Sequence, residues 1–149
     1  MRILFVSANR ESVPYPVAPL GVAYVAGAAR SAGHEVRLLD LCFSDSVEAD
    51  LAVAVREFAP DLVGLSIRNV DNLTYPSSVS YLDEILAAVS GLRRHCSAPI
   101  VAGGPGFSIF PERLLALLDL DFGVIGEGEE TLCLLARYLE EGRAVPDLA

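Results

Sequence analysis

The sequence predicts an α/β fold, in which helices cover both faces of a doubly wound, five-stranded parallel sheet. Short apolar segments alternate with helical segments along the whole chain, which is the pattern of a parallel sheet. These apolar segments are continuous, as in strands buried on both faces, and hydrophobic residues make up 52% of the 149 residues. Right-handed crossovers between five strands then favour the flavodoxin-like order 2-1-3-4-5.

The first half of the chain contains three predicted strands and two predicted helices. The first strand is a continuous apolar segment, and a proline-rich loop over 13–18 follows it. Pro19 suits the start of a helix and Gly33 suits its end, while Pro60 stops the next helix. The predicted elements are strand 2–7, helix 20–32, strand 35–41, helix 47–58 and strand 61–67.

The second half contains three predicted helices and two predicted strands. A helix is expected after a loop over 68–76, because Ser77 or Ser78 can cap it. Its apolar residues then recur at helical spacing, at Leu82, Ile85, Leu86, Val89 and Leu92. An acidic first turn suits the final helix, whose apolar stripe is Leu132, Leu135, Ala136 and Leu139. The other predicted elements are strand 99–102, helix 111–118, strand 122–125 and a final helix that starts within 126–131.

The composition excludes several classes of function. The net charge of −9 disfavours nucleic acid as a partner. All 11 basic residues are arginine, which excludes a P-loop lysine and Schiff-base chemistry. No apolar segment approaches the roughly 20 residues of a membrane span. The absence of a signal-peptide pattern predicts a cytoplasmic protein.

The cysteines and histidines are not arranged as metal ligands. Cys42, Cys96 and Cys133 are far apart in the sequence, so we expect structural cysteines and no zinc or iron–sulfur site built from this chain. His34 and His95 each follow a predicted helix, where we expect a solvated imidazole that interacts favourably with the helix dipole. The sequence predicts no catalytic residue and no metal ligand.

Small and polar residues follow the predicted strands where each strand ends. Strands one, three and four are neighbours in the predicted order, so their carboxyl ends meet at the edge where ligands of open α/β sheets bind. The candidate binding residues at this edge are Ser7, Asn9, Ser66, Arg68, Asn69, Gly103, Gly104, Pro105, Gly126 and Glu127. Two adjacent strand ends without bulky side chains predict a deep slot for a large flat ligand.

Several of these residues also have an ordinary structural interpretation. Glycines at strand ends serve tight turns, which is sufficient for Gly128 and less so for the Gly-Gly-Pro-Gly segment 103–106. Ser66 is equally suited to bond its own backbone or to contact a ligand hydroxyl or phosphate. Arg68 is either a fixed cation at the ligand face or half of a surface pair with Asp71.

Five motifs, in this order and spacing, resemble those of a known family. They are PLGVAY at 19–24, PDLVGLS at 60–66, SIRNVDN at 66–72, VAGGP at 101–105 and GEGE at 126–129. With them, nearly the whole chain resembles the N-terminal cobalamin-binding domain of radical S-adenosylmethionine enzymes.

The resemblance implies that a corrin ring lies across the carboxyl edge of the sheet. The dimethylbenzimidazole nucleotide tail of the cofactor would enter the slot, with Ser66, Gly103 and Gly104 at the tail-pocket positions. The loop over 9–18 would lie near the lower face of the ring. We expect a bulky residue in place of Gly104 to fill the slot and to leave the fold intact.

The first loop departs from a motif that many cobalamin domains share. That motif, Asp-x-His-x-x-Gly, supplies a histidine to cobalt, whereas residues 8–16 contain no histidine. We therefore expect cobalamin to be held without a histidine lower ligand, and Arg68 to occupy the lower face. A guanidinium stays protonated, so it has no lone pair to give to cobalt.

The cluster motif of the radical enzymes, Cys-x-x-x-Cys-x-x-Cys, is absent from this sequence. The resemblance implies that S-adenosylmethionine and a 4Fe-4S cluster are bound by a C-terminal radical domain of a larger parent, a methyltransferase. We expect residues 1–141 to form the cobalamin-binding domain and residues 142–149 to begin the linker. This chain alone is expected to hold the cofactor and to catalyse nothing. The substrate, the upper cobalt ligand and the oligomeric state are left open.

Two other functions share this architecture. A signalling receiver domain needs an acidic cluster after the first strand, an aspartate after the third and a lysine after the fifth. The sequence has Asn9, the segment 66–68 and no lysine, which excludes that function. A nucleotide- or flavin-binding enzyme domain is the alternative, although it would have a glycine-rich turn where this chain has a long proline-rich loop.

Overall fold

The computed structural model describes residues 1–72 and 74–146. Its strands are β1 (Arg2–Ser7), β2 (Glu35–Asp40), β3 (Leu62–Ser66), β4 (Ile100–Gly103) and β5 (Phe122–Gly123). They form one parallel sheet in the order β2-β1-β3-β4-β5, which confirms the predicted fold class and strand order. Because all strands run in the same direction, the loops that leave their carboxyl ends gather at one edge.

Helices cover both faces of the sheet. They are α1 (Leu20–Ser31), α2 (Val47–Phe58), α3 (Leu82–His95), α4 (Pro105–Ile109), α5 (Pro111–Leu117) and α6 (Glu129–Glu140), with a short 3₁₀ helix at Leu41–Phe43. Buried residues of α1 and α6 share one apolar cluster with Ile3 and Phe5 of the sheet. Buried residues of α2, α3 and α5 share the other with Leu4 and Val63. Neighbouring residues of β1 thus face opposite layers.

Helix α3 begins later than its predicted caps, Ser77 or Ser78. It starts at Leu82, and Tyr81 at the N-cap provides no side-chain hydrogen bond. The preceding loop pairs with itself, since Tyr81 N donates to Val70 O over 2.8 Å. This pairing keeps both serines in the loop, outside the helix.

The exit from β4 also differs from the prediction. Gly104 has φ of +102°, which turns the chain after β4, and Pro105 then occupies the first turn of α4, a helix that was not predicted. Strand β5 is shorter than the predicted strand 122–125. Its pairing with β4 ends at Gly123, opposite Ala102, although Val124 N still donates to Ala102 O over 2.8 Å.

The prediction of a solvated His34 is wrong. Its side chain is only 8% exposed, and its Nδ1 lies 3.3 Å from the N-terminal amine and 3.8 Å from Glu140 Oε1. The turn between α1 and β2 packs against the start of β1 and removes the ring from solvent. His95 is 34% exposed, and its Nε2 lies 2.7 Å from Glu48 Oε1. Both histidines lie beside the amino ends of the strands.

The described residues offer neither a membrane-spanning helix nor a metal-binding cluster. None of the described helices is long and apolar enough to cross a bilayer. Cys42, Cys96 and Cys133 are free thiols. Within 1–72 and 74–146, no three or more His, Cys, Asp and Glu side chains are grouped to hold a metal ion.

The predicted linker, 142–149, lies partly outside the described residues. In its described part, Val145 packs against the apolar cluster of α1 and α6. The boundary after residue 141 stays a prediction.

Candidate functional site

The register of the sheet aligns three small residues at its carboxyl edge. Ser7 of β1 pairs with Ser66 of β3, and Ser66 pairs with Gly103 of β4. Paired residues of adjacent strands point to the same face of a sheet. This face is the one that α1 and α6 cover, because Phe5, two residues before Ser7, belongs to their cluster. The three residues, which we call the small-residue row, leave this end of the face free of bulky side chains.

The next row of paired residues, one step further into the core, is filled by a large side chain. Phe5, Gly64 and Val101 are paired in the same way. A Cβ on Gly64 would lie 2.6 Å from Phe5 Cδ1, which is too close for any side chain in this packing. Glycine at this position therefore allows the Phe5 ring to lie over the neighbouring strand. The ring forms the inner end of the region below the small-residue row.

A cavity of about 350 Å³ lies between the small-residue row and the helices. Most of its walls are apolar, and they come from the end of the first loop, from α1 and from the α6 side: Val17, Pro19, Leu20, Val22, Val25, Val124 and Leu132. Sequence reasoning missed these wall residues, because α1 reaches the strand ends only through its packing on the sheet. The motif over 19–24 was the available signal for them.

Seven of the ten predicted binding residues line this cavity, namely Ser7, Asn9, Ser66, Arg68, Gly103, Gly104 and Pro105. The other three lie outside its lining. Asn69 Nδ2 donates to Asp71 O over 3.2 Å, and Gly126 N donates to Ser108 Oγ over 3.0 Å. Glu127 follows Gly126 in the same loop. The structure thus brings the ends of β1, β3 and β4 together and leaves the β5 loop beside them.

Three polar side chains of the cavity carry an oxygen that has no hydrogen-bond partner among the described residues. Ser7 is buried and Ser66 is half-buried, and neither hydroxyl forms a hydrogen bond with another described residue. The side-chain oxygen of Asn9 is buried and has no partner in the described part of the chain. A buried polar group without a partner costs about 1–3 kcal/mol. A ligand with its own donors and acceptors therefore suits this floor, and the alternative in which Ser66 bonds its own backbone is not observed.

The two adjacent glycines after β4 have different roles. At Gly104 a Cβ would lie 2.7 Å from Ile67 O, and φ is +102°, so the turn itself requires glycine. The expectation that a bulky residue at Gly104 leaves the fold intact is therefore wrong. At Gly103 the atom nearest to an added Cβ would be Val124 O, at 3.5 Å. A side chain at Gly103 is compatible with the backbone and would extend into the cavity.

Arg68 lies exposed at the mouth of the cavity, directly after β3. No hydrogen bond or ion pair joins its guanidinium to another residue of the described ranges, so the alternative surface pair with Asp71 is not formed. A guanidinium without a counter-charge is available to a ligand that lies across the edge. Both histidines are at the opposite edge of the sheet.

The arrangement is suited to binding a flat, partly apolar group. Apolar walls and a floor with two hydroxyls and an amide fit a heteroaromatic body that carries polar substituents. The described residues that line the cavity include no cysteine, histidine, aspartate or glutamate. The lining itself therefore offers no general base or thiol nucleophile.

Comparison with known proteins identifies the family. Residues 6–136 match the family model described as B12 binding domain. Over 137 residues the chain is 36% identical to tryptophan 2-C-methyltransferase of Streptomyces laurentii, which covers 91% of this chain and 23% of that protein. It is 32% identical over 149 residues to an uncharacterized methyltransferase of Pyrococcus horikoshii, covering 96% of this chain and 30% of that protein.

Solved structures agree with this assignment. TsrM of Kitasatospora setae, a radical S-adenosylmethionine methyltransferase with cobalamin and a [4Fe-4S] cluster bound, matches with a TM-score of 0.91 and 34% identity, over 97% of this chain and 25% of that one. The radical enzyme OxsB with aqua-cobalamin matches with a TM-score of 0.70 and 21% identity, over 97% of this chain and 19% of that one, and shows the shared fold. The chain spans less than a third of each of these relatives. It belongs to the B12-binding domain family, whose cofactor is cobalamin.

Proposed function

We propose that the cavity receives the dimethylbenzimidazole nucleotide tail of cobalamin and that the corrin ring lies across the carboxyl edge of the sheet. The observation that carries this proposal is the small-residue row of Ser7, Ser66 and Gly103 above the Phe5 ring. Because these residues are small, an aromatic base can lie flat against the sheet and reach into the cavity as far as the Phe5 ring. Asn69, Gly126 and Glu127 stay predicted contacts of the cofactor outside the cavity.

The residues present fit this cofactor. The hydroxyls of Ser7 and Ser66 and the buried oxygen of Asn9, which form no hydrogen bond within the described part of the chain, would bond the polar atoms of the tail. The apolar walls would contact the faces of the benzimidazole and exclude water from it. Each satisfied polar group would contribute about 0.5–1.5 kcal/mol to binding.

We infer that cobalt has no histidine beneath it and that Arg68 lies at the lower face of the ring. His34 and His95 are at the other edge of the sheet. Arg68 is exposed at the mouth of the cavity, and no other residue of 1–72 and 74–146 pairs with its guanidinium. Its protonated guanidinium has no lone pair, so it would occupy the lower position without ligating the metal.

We propose that this domain belongs to a cobalamin-dependent radical S-adenosylmethionine methyltransferase. The relatives named above as methyltransferases support this proposal, and the chain spans about a quarter of the first of them. When bound, cobalamin supplies the chemistry of a methyl carrier. S-adenosylmethionine and a 4Fe-4S cluster would be held by a C-terminal domain of the parent, which would be the partner of this domain. The cytoplasmic location stays a prediction.

A titration of the 149-residue chain with cobalamin, followed by visible absorption, tests the site. We expect stoichiometric binding, and we expect Gly103→Val to weaken it about tenfold or more, equivalent to ~1.4 kcal/mol, because the added side chain enters the cavity. Gly27→Val is the matched control, since Gly27 lies on the exposed surface of α1 with nothing within 4 Å of an added Cβ.

Cobinamide, which has the corrin ring without the nucleotide tail, separates the two parts of the proposal. If the tail occupies the cavity, cobinamide binds more weakly than cobalamin to the parent chain, and Gly103→Val leaves its affinity unchanged. Equal binding of cobalamin by Gly103→Val and the parent chain would place the tail elsewhere. A flavin spectrum in the purified protein would favour the nucleotide- or flavin-binding alternative.

A further inference from the structure

The first loop of the chain is tied to the start of α3 through Glu11. Tyr81 OH donates to Glu11 Oε2 over 2.6 Å, and Val13 N donates to Glu11 Oε1 over 2.7 Å. Both carboxylate oxygens are therefore used, one to shape the loop and one to join it to a residue 70 positions later. We call the hydrogen bond between Tyr81 and Glu11 the Glu11–Tyr81 link.

Two further contacts fix the same part of the loop. Arg10 Nη2 donates to Ser44 O over 3.1 Å, and Cys42 Sγ donates to Glu11 O over 3.9 Å. The loop is thus held on the β2 side and on the α3 side. The residues that follow are exposed, with Tyr15 78% accessible. The link therefore lies between the part of the loop that side-chain contacts hold and the part that is exposed.

The Glu11–Tyr81 link lies next to the proposed cofactor site without being part of its lining. Tyr81 borders a space of about 10 Å³ together with Asn9, Arg68 and Asn69. Asn9 and Arg68 also line the main cavity, as does Val17 at the far end of the loop. The link therefore connects the two strand ends that carry Asn9 and Arg68, and it sets where the loop returns to the cavity wall.

We propose that Glu11 and Tyr81 are positioning residues for cobalamin: their hydrogen bond holds the first loop and the end of β3 in the arrangement that the cofactor needs. This inference rests on the proposed function of the cavity. Neither residue would touch the nucleotide tail. They would act by reducing the conformational freedom that Asn9, Arg68 and the loop lose on binding.

The charge state of the pair supports a strong link. The hydrogen bond from Tyr81, followed by that from Val13 N, lowers the pKa of Glu11 below its ordinary value of 4.5. The same bond, with desolvation, raises the pKa of Tyr81 to about 12. At neutral pH the pair is therefore an ionised carboxylate and a neutral phenol, the combination that gives short and strong hydrogen bonds.

Cobalamin titrations of three variants test the proposal. We expect Tyr81→Phe and Glu11→Gln each to raise the dissociation constant of cobalamin about fivefold to tenfold, ~1–1.4 kcal/mol. The double variant should be no weaker than the worse single variant, because one change removes the donor and the other removes the charge of the acceptor in the same hydrogen bond. Tyr138→Phe is the matched control, since Tyr138 lies on α6 and the substitution keeps its ring beneath Arg143.

A second measurement checks the link without the cofactor. Ultraviolet absorbance should show the tyrosine of high pKa in the parent chain and its loss in Glu11→Gln, and hydrogen exchange at the Val13 amide should quicken in both single variants. If the parent chain binds no cobalamin, the proposed function fails, and these readouts still decide whether the link exists. The positioning role is overturned if Tyr81→Phe binds cobalamin within twofold of the control, or if the two substitutions are additive. Changed melting temperatures that account for the whole loss of affinity would also overturn it.

Discussion

Replacing Gly104 by alanine is expected to destabilise the protein strongly, whereas the same change at the neighbouring Gly103 is expected to be tolerated. The two positions are adjacent in sequence and identical in residue type. They differ only in backbone conformation and in the distance to the end of β3. The pair therefore tests whether the turn after β4, and not the ligand, is the reason for glycine at position 104.

The magnitude follows from two features of Gly104. A non-glycine residue at φ of +102° is strained by about 1–3 kcal/mol. The added Cβ would also lie 2.7 Å from Ile67 O, and relieving such a contact in packed backbone costs about 1–3 kcal/mol. Alanine reduces the entropy of the unfolded chain, which offsets about 0.4–1 kcal/mol. We expect a net loss of about 2–4 kcal/mol at Gly104 and a change within about 1 kcal/mol at Gly103.

Urea unfolding followed by circular dichroism measures both free energies of unfolding, with the parent chain as reference. Gly27→Ala serves as the control, because it adds the same methyl group to an exposed helix position with no neighbour within 4 Å. It should be stabilising by about 0.5–1 kcal/mol. A Gly104→Ala protein within about 0.5 kcal/mol of the parent would refute the reasoning, as would equal losses at Gly103 and Gly104.

The remaining predictions concern the cobalt site and one surface carboxylate. Electron paramagnetic resonance of the cobalt(II) form should show no nitrogen hyperfine splitting from an axial imidazole. Arg68→Ala should shift the cobalt(II)/cobalt(I) potential, whereas Arg137→Ala on α6 should leave it unchanged. Separately, Arg94 and then His95 lower the pKa of Glu48 from 4.5 to about 2. The lowered pKa means that ionised Glu48 stabilises the folded protein. This contribution to the free energy of unfolding is fully present above pH 4.5 and is lost as the pH falls towards about 2, so acid should destabilise the parent chain more steeply than Glu48→Gln. Parallel pH profiles of urea unfolding would contradict this.

Much of the fold could be predicted because it depends on local patterns. Continuous apolar segments between helical stripes identified all five strands and their order, and the end of α2 follows directly from Pro60. The start of α3 could not be predicted, since it depends on the pairing of Tyr81 with Val70. Helix α4 was missed for a similar reason. It exists because Gly104 turns the chain against the backbone of Ile67.

The cofactor site also has features that the sequence predicts and features that depend on the tertiary structure. The sequence by itself determined which strand ends carry small and polar residues, because strand ends and residue sizes are local properties. Only the tertiary structure decided that Ser7, Ser66 and Gly103 form one row, that Gly104 serves the turn, and that α1 closes the cavity. The physical reason is that register and close approach are set by contacts between residues far apart in the chain. A one-residue change of register would turn the serine hydroxyls to the opposite face of the sheet.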